Sequence, residues 1–323
     1  MKLEEIRALI AEDLAATDRL ILTKLASDIP LAKEVANHII QSGGKRIRPI
    51  IGLLVAKALA YQGDAQIKLA AIVELLHTAT LLHDDVIDES ELRRGQQTAN
   101  SKWGNEASVL VGDLLYARSF QLIAELNNTA ITNLIAEASG IIVEGEVLQL
   151  SHCHDPGTNE YTYLEIIKRK TGRLFMIAAS CIPCLQNSPI EVQQALANYG
   201  ENLGIAFQMM DDALDYDADP KETGKNLGDD LAEGKPTLPL IYILHSGNSK
   251  QVETVRKALK TQYSTHDVTA IKAIIDETGA IEYTRRLAKV YVQRSIDSLT
   301  ILSPSPARDA LIALAEIAGD RNN

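Results

Sequence analysis

Apolar residues recur at three- and four-residue spacing along most of this chain, and this periodicity restricts its fold more than any other feature. The spacing is typical of amphipathic helices, and no period-two alternation typical of strands persists. Gly and Pro fall between the periodic runs. The predicted helices cover 3–26, 48–60, 66–88, 106–126, 130–150, 160–184, 189–216, 237–245, 249–261, 268–276, 279–300 and 305–318. We therefore expect an all-α protein, folded as a single domain over residues 1–323.

Composition and charge narrow the class of protein. Apolar residues make up 46% and charged residues 23% of the 323 residues, which is typical of a globular chain. The net charge of −11 argues against a nucleic-acid partner, which needs a broad positive potential. Cys153, Cys181 and Cys184 are too few for a disulfide framework. A small anionic substrate held by a local basic cluster stays compatible with this composition.

The N-terminus, "MKLEEIRALIAEDLAATDRL", alternates charged and apolar residues at helical spacing. It lacks the uninterrupted apolar core of a signal peptide. No apolar stretch of about 18 residues is evident, so we expect no segment that spans a membrane. A soluble cytoplasmic protein follows as the expectation, and a peripheral membrane contact is compatible with it.

Three aspartates stand at the end of an apolar helical run in "LLHDDVIDES". Asp84 and Asp88 are four residues apart and share one helix face, and Asp85 flanks that face. Carboxylates so placed repel each other until a cation binds. Mg²⁺ suits one or two carboxylates together with waters and phosphate oxygens. Taken alone, the triplet is better explained by a solvated acidic helix end or by ion pairs with Lys or Arg.

The same spacing returns in "FQMMDDALDYD". Asp211, Asp212 and Asp215 repeat the pattern, and Gln208 lies on the same helix face. Two such patterns, each in an apolar helical run, are hard to explain as unrelated acidic faces, because burying carboxylates costs free energy. If the two helices face each other, six carboxylates line one cavity. That arrangement predicts several divalent ions around a polyanionic substrate.

Basic residues cluster beside these motifs in an otherwise acidic chain. Arg suits phosphate because its planar fork donates two parallel hydrogen bonds. For Arg46, Lys168 and Arg169 a solvated surface charge is the preferred interpretation, and His77 is as compatible with a phosphate contact as with a structural role. The basic clusters and their neighbours are Lys45, Arg46 and Arg48; Arg93 and Arg94; Lys168, Arg169, Lys170, Thr171 and Arg173; and Lys225 and Lys235.

In this order the motifs resemble the trans-isoprenyl diphosphate synthases, the polyprenyl synthetase family. The resemblance covers essentially the whole chain and is strongest to the long-chain branch, which includes octaprenyl diphosphate synthase. It implies an isoprenoid-synthase-type helical bundle around a deep central cavity, and a homodimer. The matching segments are "GGKRIRP", "ELLHTATLLHDDVIDES", "RRG", "VLVGDLLYARSFQ", "EGEVLQL", "KTGRLF", "FQMMDDALDY" and "GKPTLPL".

The resemblance also implies a role for each matching residue. Mg²⁺ ions, several per site, would be bound by Asp84, Asp85, Asp88, Asp211, Asp212 and Asp215. The allylic diphosphate would be contacted by Arg93, Lys170, Thr171, Gln208, Lys225 and Lys235. The diphosphate of isopentenyl diphosphate would be held by Lys45, Arg48, His77 and Arg94. The residues expected to matter most for catalysis are Asp84, Asp88, Asp211 and Lys170.

The implied reaction condenses isopentenyl diphosphate with an allylic diphosphate, expected to be farnesyl, by metal-assisted ionisation. The expected product is octaprenyl diphosphate for quinone side chains, with geranylgeranyl, heptaprenyl and solanesyl diphosphates as alternatives. A small departure from the family pattern is Gly172 in "KTGRLF", which is weaker than Ala inside a helix.

Product length is expected to depend on small residues just before the first aspartate. Ala79 lies five residues before Asp84, a helical rise of about 7.5 Å, and Thr80 lies nearly beneath Asp84. Both are small, so they leave room for a growing tail. Phe120 and Ile123 are candidates for a deeper floor.

Other motifs favour other classes only weakly. "CIPC" at 181–184 has the form of a redox motif but sits in a helical run with no strand before it. "SHCHD" at 151–155 lacks the distant second pair of ligands that a zinc site needs. A metal phosphohydrolase would need more histidines near "HD" at 83–84. A non-catalytic subunit is expected to lose one aspartate motif, and a cyclising terpene synthase does not need two diphosphate sites.

Overall fold

The computed structural model describes residues 1–41, 43–93, 95–217, 228–260 and 265–320, and these are predominantly helical. The chain forms two compact units. Unit 1 comprises Met1–Ala138, Leu174–Gly200 and Ser298–Leu314, and unit 2 comprises Ser139–Arg173, Glu201–Asp297 and Ala315–Asn323. The predicted all-α class is confirmed, and a single domain over 1–323 stays a prediction.

The helices alternate with short connections. In chain order they are α1 (Leu3–Ala8), α2 (Ala11–Lys24), α3 (Pro30–Gln41), α4 (Ile47–Ala58), α5 (Ala65–Ile87), α6 (Ala99–Trp103), α7 (Asn105–Glu125), α8 (Thr129–His152), α9 (Glu160–Ile167), α10 (Arg173–Leu185), α11 (Ile190–Asp217), α12 (Asp229–Ala232), α13 (Leu238–Ser246), α14 (Ser249–Lys260), α15 (Thr265–Thr278), α16 (Ala280–Ser298) and α17 (Pro306–Gly319). A π-helical segment, Lys168–Gly172, joins α9 to α10, and a 3₁₀ turn, Leu299–Ile301, follows α16.

The core of unit 1 is built around α5, which packs mainly against α7, α4 and α2. Leu75, Ala79 and Leu82 are fully buried on this helix. Within the described residues, α5 alone is long and apolar enough to cross a membrane, but 61% of its apolar window is buried inside the protein. This burial is what a central core helix shows. The aspartates of the first motif therefore stand at the C-terminal end of a core helix of the unit.

A short hairpin follows α5. Strand β1 (Leu92–Arg93) pairs antiparallel with β2 (Gln96–Gln97), with Arg93 opposite Gln96. Gly95 in the turn has φ = +74°, a conformation that glycine adopts without strain. Sequence periodicity could not predict strands of two residues. The hairpin matters because it returns the chain towards the end of α5.

Unit 2 holds α11 between two apolar clusters. One cluster contains Ala213 and Tyr216, and the other contains Ile205, Met209 and Met210. Both clusters draw on residues of α11 that lie between or beside the aspartates. The second motif is thereby fixed on a rigid helix.

The helix prediction was wrong in four places before residue 190. The run 3–26 is two helices, since Ile10 has ψ = 21° and interrupts the α-helical backbone. The run 160–184 is interrupted by the π segment. Helix α3 was not predicted, although Pro30 occupies the first helical position that proline favours. The five-residue α6 was also missed.

The predicted helices leave residues 217–236 as a long loop, and this stretch is described at residue 217, which ends α11, and from residue 228 onward. There, residues from Gly228 onward form the short α12 and lead into α13. The predicted contact residue Lys225 lies outside the described residues, and so does Arg94.

Candidate active site

The first motif divides into two half-buried aspartates and one buried aspartate. Asp84 and Asp88 are partly exposed, and the Asp88 N–H donates to the Asp84 carbonyl at 2.8 Å at the end of α5. Asp85, which flanks the face that Asp84 and Asp88 share, is fully buried. It follows Leu82 by three residues, so helical spacing places it on the same buried stripe.

Asp85 is bound by Arg93 from the hairpin. The Nε and Nη2 groups of Arg93 donate to Asp85 Oδ1 at 2.9 Å and 2.7 Å. Asp85 Oδ2 is buried and has no hydrogen-bond partner among the described residues. Burial raises the pKa of the Asp85 carboxyl, Arg93 opposes the rise, and Asp84 and Asp88 add to it. One oxygen is thus compensated by a full positive charge.

Two side chains that sequence analysis missed fix this turn. The Asn100 Nδ2 group donates to the carbonyls of Asp85 and Ser90 at 3.0 Å and 3.1 Å. The Thr98 hydroxyl donates to the Ser90 carbonyl at 2.6 Å. Thr98 also caps α6, which is a signal that the sequence carried. The turn after α5 is therefore preorganised by hydrogen bonds.

The second motif shows the same division. Asp211 and Asp215 are half-buried, and Asp212 is buried. Asp212 accepts hydrogen bonds from the Tyr163 hydroxyl at 2.6 Å and from Gln208 Nε2 at 2.8 Å. Tyr163 was not predicted, because its position on α9 is distant in sequence from the motif.

The environment of Asp212 disfavours the ionised form of its carboxyl. Burial raises the pKa of Asp212 to about 8, repulsion from Asp230 adds to the rise, and the Tyr163 and Gln208 hydrogen bonds oppose it. Burial and the neighbouring Asp212 also raise the pKa of the Tyr163 hydroxyl, which keeps it a hydrogen-bond donor. This region is arranged to gain from a nearby cation.

The π segment presents the predicted "KT" residues to α8 and α11. Thr171 donates its hydroxyl proton to Gln208 Oε1 at 2.8 Å, so Thr171, Gln208 and Asp212 form one hydrogen-bonded chain. Lys170 Nζ lies 2.6 Å from Glu146 Oε2 and donates to Gln149 Oε1 at 2.8 Å. Single-turn π segments occur frequently at functional sites.

Gly145 on α8 permits this approach. A Cβ at that position would lie 2.7 Å from Arg169 Cβ and 2.8 Å from the Lys170 nitrogen, closer than real contacts allow. A larger residue would therefore push the π segment away from α8. The glycine of "EGEVLQL" thus has a packing role that the sequence did not reveal.

The chain after the second motif returns to Asp215. The Gly228 N–H donates to the Asp215 carbonyl at 3.0 Å, and the Asp230 N–H donates to Asp215 Oδ2 at 3.2 Å. Lys235 is mostly buried and forms an ion pair with Glu233. The predicted contact residue Lys235 therefore belongs to a segment that is tied to the acidic motif.

The basic segment after the two glycines is held by other charged residues. Arg46 Nη1 lies 2.5 Å from Glu74 Oε1, and both side chains are largely buried. The interpretation of Arg46 as a solvated surface charge is therefore wrong. Its partner, Glu74, lies on the buried stripe of α5 and needs a cation. By contrast, Lys168 and Arg169 form partly exposed ion pairs, as a surface charge does.

The other predicted contacts of unit 1 differ in exposure. Lys45 is exposed, and His77 is half-buried. The guanidinium carbon of Arg48 lies 4.5 Å from the centroid of the Phe175 ring, within the range of a cation–π contact. Arg48 is thus oriented by an aromatic side chain on α10.

The predicted chain-length residues lie on α5 and α7. Ala79 and Ile123 are buried, and the Thr80 hydroxyl donates to the His77 carbonyl at 2.8 Å. Phe120 is 46% exposed, with its ring centroid 6.5 Å from that of Tyr116. The role of these residues in product length stays a prediction.

Comparison with known proteins assigns the family. A sequence profile described as Polyprenyl synthetase matches residues 29–278. This chain belongs to the polyprenyl synthetase family. Over 322 residues it is 45% identical to the octaprenyl diphosphate synthase of Escherichia coli (strain K12), with 100% of both chains covered. It is 43% identical to the all-trans-nonaprenyl-diphosphate synthase (geranyl-diphosphate specific) of Rhodobacter capsulatus, with 98% of each chain covered.

Solved polyprenyl synthases have the same fold. A polyprenyl synthase from Caulobacter crescentus CB15, complexed with calcium and isoprenyl diphosphate, is 39% identical with a TM-score of 0.96, covering 100% of this chain and 98% of that one. A decaprenyl diphosphate synthase from Rhodobacter capsulatus is 40% identical with a TM-score of 0.94, and both chains are covered completely. The chain is therefore a prenyltransferase of the all-α polyprenyl synthase fold, and the comparisons support long-chain trans-polyprenyl diphosphate synthesis.

The residues of both motifs fit the divalent metal that this family implies. Across the described residues, no group of three His, Cys, Asp or Glu side chains is already gathered around one point. Magnesium does not require one, since it keeps several waters and uses few carboxylates. The Oδ2 of Asp85 is buried without a hydrogen-bond partner, and burial together with Asp230 raises the pKa of Asp212, so an ionised carboxylate in either motif carries a free-energy penalty. A cation near either motif would relieve it.

The competing motifs do not form sites in the described part of the chain. Cys153, Cys181 and Cys184 are free cysteines. Burial raises the pKa of the Cys181 thiol, which suppresses its reactive thiolate form. His154 Nδ1 donates a hydrogen bond to the Leu259 carbonyl at 2.8 Å, so its ring has a structural partner.

Proposed function

We propose that this chain elongates an allylic diphosphate, farnesyl diphosphate, with isopentenyl diphosphate, and that its end product is octaprenyl diphosphate for quinone side chains. The observation that carries the proposal is the duplicated D-D-x-x-D motif, intact in both copies, with the middle aspartate of each copy buried and hydrogen-bonded. The octaprenyl diphosphate synthases of E. coli and Haemophilus influenzae, 45% and 44% identical, support the product length.

Several Mg²⁺ ions are the proposed metals. Asp84, Asp88, Asp211 and Asp215 are the half-buried members of their motifs, so they are the candidates for direct ligands. Asp85 and Asp212 were also predicted as ligands, and they stay in the proposed set because a bound cation would favour the ionised form of each buried carboxyl. Bound Mg²⁺ would neutralise charge on the leaving diphosphate. The calcium in the Caulobacter structure supports a divalent cation.

The allylic diphosphate is assigned to Lys170, Thr171 and Gln208, together with Arg93, Lys225 and Lys235. Their hydrogen-bond donors stabilise the negative charge that develops on diphosphate as the allylic C–O bond breaks. The Thr171–Gln208–Asp212 chain holds these donors in place before substrate binds. The electron pair of the broken bond leaves with diphosphate, and a carbocation remains on the allylic carbon.

Isopentenyl diphosphate is assigned to Lys45, Arg48, His77 and Arg94. These residues hold its diphosphate while the double bond attacks the carbocation and forms the new C–C bond. Loss of a proton then restores a double bond, and the released diphosphate is available as the base. Water must be kept out, because it would capture the carbocation.

Homodimer formation is part of the proposal. Exposed apolar side chains follow helical spacing on α8 at Val143, Val147 and Leu150, and Leu110 and Phe120 are exposed on α7. Exposed apolar stripes of this kind mark interaction surfaces. A second copy of the chain is the proposed occupant, and sedimentation should give twice the mass of 35.2 kDa. A cytoplasmic location, with a peripheral membrane contact for product release, completes the proposal.

Product analysis tests the proposed reaction. The purified chain is incubated with farnesyl diphosphate, labelled isopentenyl diphosphate and Mg²⁺, and the dephosphorylated products are sized by chromatography. We expect octaprenol as the main product. Geranylgeraniol alone would overturn the long-chain assignment. No product from this chain alone, but product after adding a second subunit, would favour a heteromeric synthase.

Replacing Ala79 by Tyr tests the position of the growing tail. Ala79 is fully buried one turn or so before the first aspartate, and an isoprene repeat is about 5 Å long. A bulky ring there should stop elongation after about one or two additions, given a helical rise of about 7.5 Å over five residues. Chromatography of the products measures the change. Unchanged octaprenol would remove Ala79 from the tunnel wall.

A further inference from the structure

We propose that Arg7 and the Arg46–Glu74 ion pair position the 43–48 segment for isopentenyl diphosphate, although none of the three residues contacts substrate. The inference rests on the proposed function, because it takes Lys45 and Arg48 as contacts of that diphosphate. The family profile begins at residue 29, so Arg7 lies outside the part of the chain it matches.

Arg7 holds the peptide group that carries Lys45. Its Nη2 donates to the Lys45 backbone carbonyl at 3.0 Å. Helix α1 is itself anchored, since Ile6 is fully buried and the Leu9 carbonyl accepts a hydrogen bond from Lys57 Nζ of α4 at 2.6 Å. Arg7 therefore links a fixed helix to the backbone of the substrate-binding segment.

The Arg46–Glu74 pair holds the next residue in an uncommon backbone conformation. Arg46 has φ = 51°, which residues other than glycine rarely adopt. Its carbonyl also accepts the first hydrogen bond of α4, from the Ile50 N–H at 3.0 Å. The ion pair spans 2.5 Å, with 16% of the Arg46 side chain and 7% of the Glu74 side chain exposed. Such a pair fixes the turn where α4 begins.

The position of Arg46 between the two substrate contacts gives this pair its functional consequence. Lys45 precedes it and Arg48 follows it by two residues, so the turn at Arg46 sets the separation and direction of both cations. Groups held in place before binding lose less freedom when the ligand binds. Releasing the turn should weaken diphosphate binding while the chemistry stays intact.

Asp18 provides a matched control. Its Oδ1 lies 3.6 Å from Arg46 Nε, but 48% of its side chain is exposed. Asp18→Asn and Glu74→Gln make the same chemical change beside the same guanidinium. An exposed ion pair is screened by water and contributes little, whereas a buried one is strongly coupled. The two variants therefore separate positioning from a general change in charge.

Steady-state kinetics, with each substrate varied in turn, tests the inference. For Glu74→Gln and Arg46→Met we expect the KM for isopentenyl diphosphate to rise about tenfold, with kcat and the KM for farnesyl diphosphate within about twofold of wild type. Arg7→Met should raise the same KM about threefold. Arg46→Lys should restore part of the affinity, and Asp18→Asn should change nothing beyond about twofold.

Parallel changes in both KM values, or equal effects of Asp18→Asn and Glu74→Gln, would overturn the inference. Calorimetric titration of inorganic pyrophosphate into the same variants gives a readout without turnover. If wild type forms no product, the proposed function has failed, and the titration still decides whether the variants bind more weakly. If Glu74→Gln does not fold, Arg46→Met and Arg7→Met are compared with Asp18→Asn instead. Thermal melting of each variant is the control for stability.

Discussion

Asp85 on α5 and Asp212 on α11 occupy the same place in the same five-residue pattern, and both are buried, but their surroundings differ. Asp85 receives two hydrogen bonds from the charged guanidinium of Arg93. Asp212 receives a hydroxyl and an amide, both neutral, and lies close enough to Asp230 for repulsion to raise its pKa. The spacing of a motif therefore does not determine its charge balance.

This difference predicts that the two motifs differ in how strongly they depend on bound metal. The first motif carries its own compensating cation, so its geometry is fixed without metal. The second motif has neutral partners and an additional acidic neighbour, so it depends more strongly on added cations. Four experiments test this difference between the two motifs.

The largest effect should come from the partly exposed aspartates, where the motifs are expected to behave alike. Asp84→Ala and Asp211→Ala should each lower kcat by about a hundredfold to a thousandfold, because each removes stabilisation of the leaving diphosphate. Circular dichroism should show an intact helical fold, and EDTA should abolish wild-type activity. Wild-type rates in either variant would contradict the metal assignment.

Substitution of the buried aspartate should change the free energy of unfolding by a different amount in each motif. Asp85→Asn should destabilise the metal-free protein by about 3 kcal/mol, because it leaves Arg93 mostly buried beside a neutral group. Asp212→Asn keeps a neutral partner for Tyr163 and removes a carboxyl whose ionised form is unfavourable, so at pH 5 its stability should stay within about 1 kcal/mol of wild type. Urea unfolding in EDTA measures both. Equal losses would remove the distinction.

Substitutions of the basic residues beside each motif should affect the kinetics of different substrates. Lys170→Ala should mainly impair use of the allylic diphosphate, and Arg94→Ala should mainly raise the KM for isopentenyl diphosphate. Loss of one charge-assisted contact costs about 1.5–3 kcal/mol. Initial rates with each substrate varied separately test this. Equal effects of both variants on both substrates would contradict the assignment of Lys170 to the allylic diphosphate and of Arg94 to isopentenyl diphosphate. The proposed reaction would not be affected by that result.

The fourth experiment concerns pH. The pKa of Asp212 is raised from 3.8 to about 8 on folding, so the penalty for ionising it is absent at low pH and grows as pH rises towards 8. Metal-free wild type should therefore lose stability between about pH 5 and pH 8. Asp212→Asn should reduce that loss, as measured by urea unfolding at both pH values in EDTA. Identical pH profiles would show that Asp212 does not titrate in this range.

The sequence predicted the elements of this fold better than the contacts between them. Helices α5 and α11 and both acidic motifs followed from local periodicity, because one stripe of each helix is buried. Burial of the middle aspartates was also readable, since Asp85 follows Leu82 and Asp212 follows Met209 by three residues.

Partners distant in sequence could not be predicted in the same way. Tyr163 lies 49 residues from Asp212, and Glu74 lies 28 residues from Arg46. Such pairs depend on tertiary packing, which overrides local pattern. The same limit applies to Gly145, whose closeness to the π segment becomes apparent only once the two helices are packed.

The π segment at Lys168–Gly172 also constrains how this chain can change in length. Its wider turn accommodates an additional residue, compared with an α-helix that joins α9 to α10 directly. Deleting one residue there would let α9 continue into α10 as a regular α-helix and would remove the wider turn that presents Lys170 and Thr171. Tyr163 precedes the segment, whereas Lys170 and Thr171 lie within it, so the deletion would misalign a hydrogen-bonded network without changing any of its members. Substitutions at surface positions of α9 should therefore be tolerated far more readily than single-residue insertions or deletions.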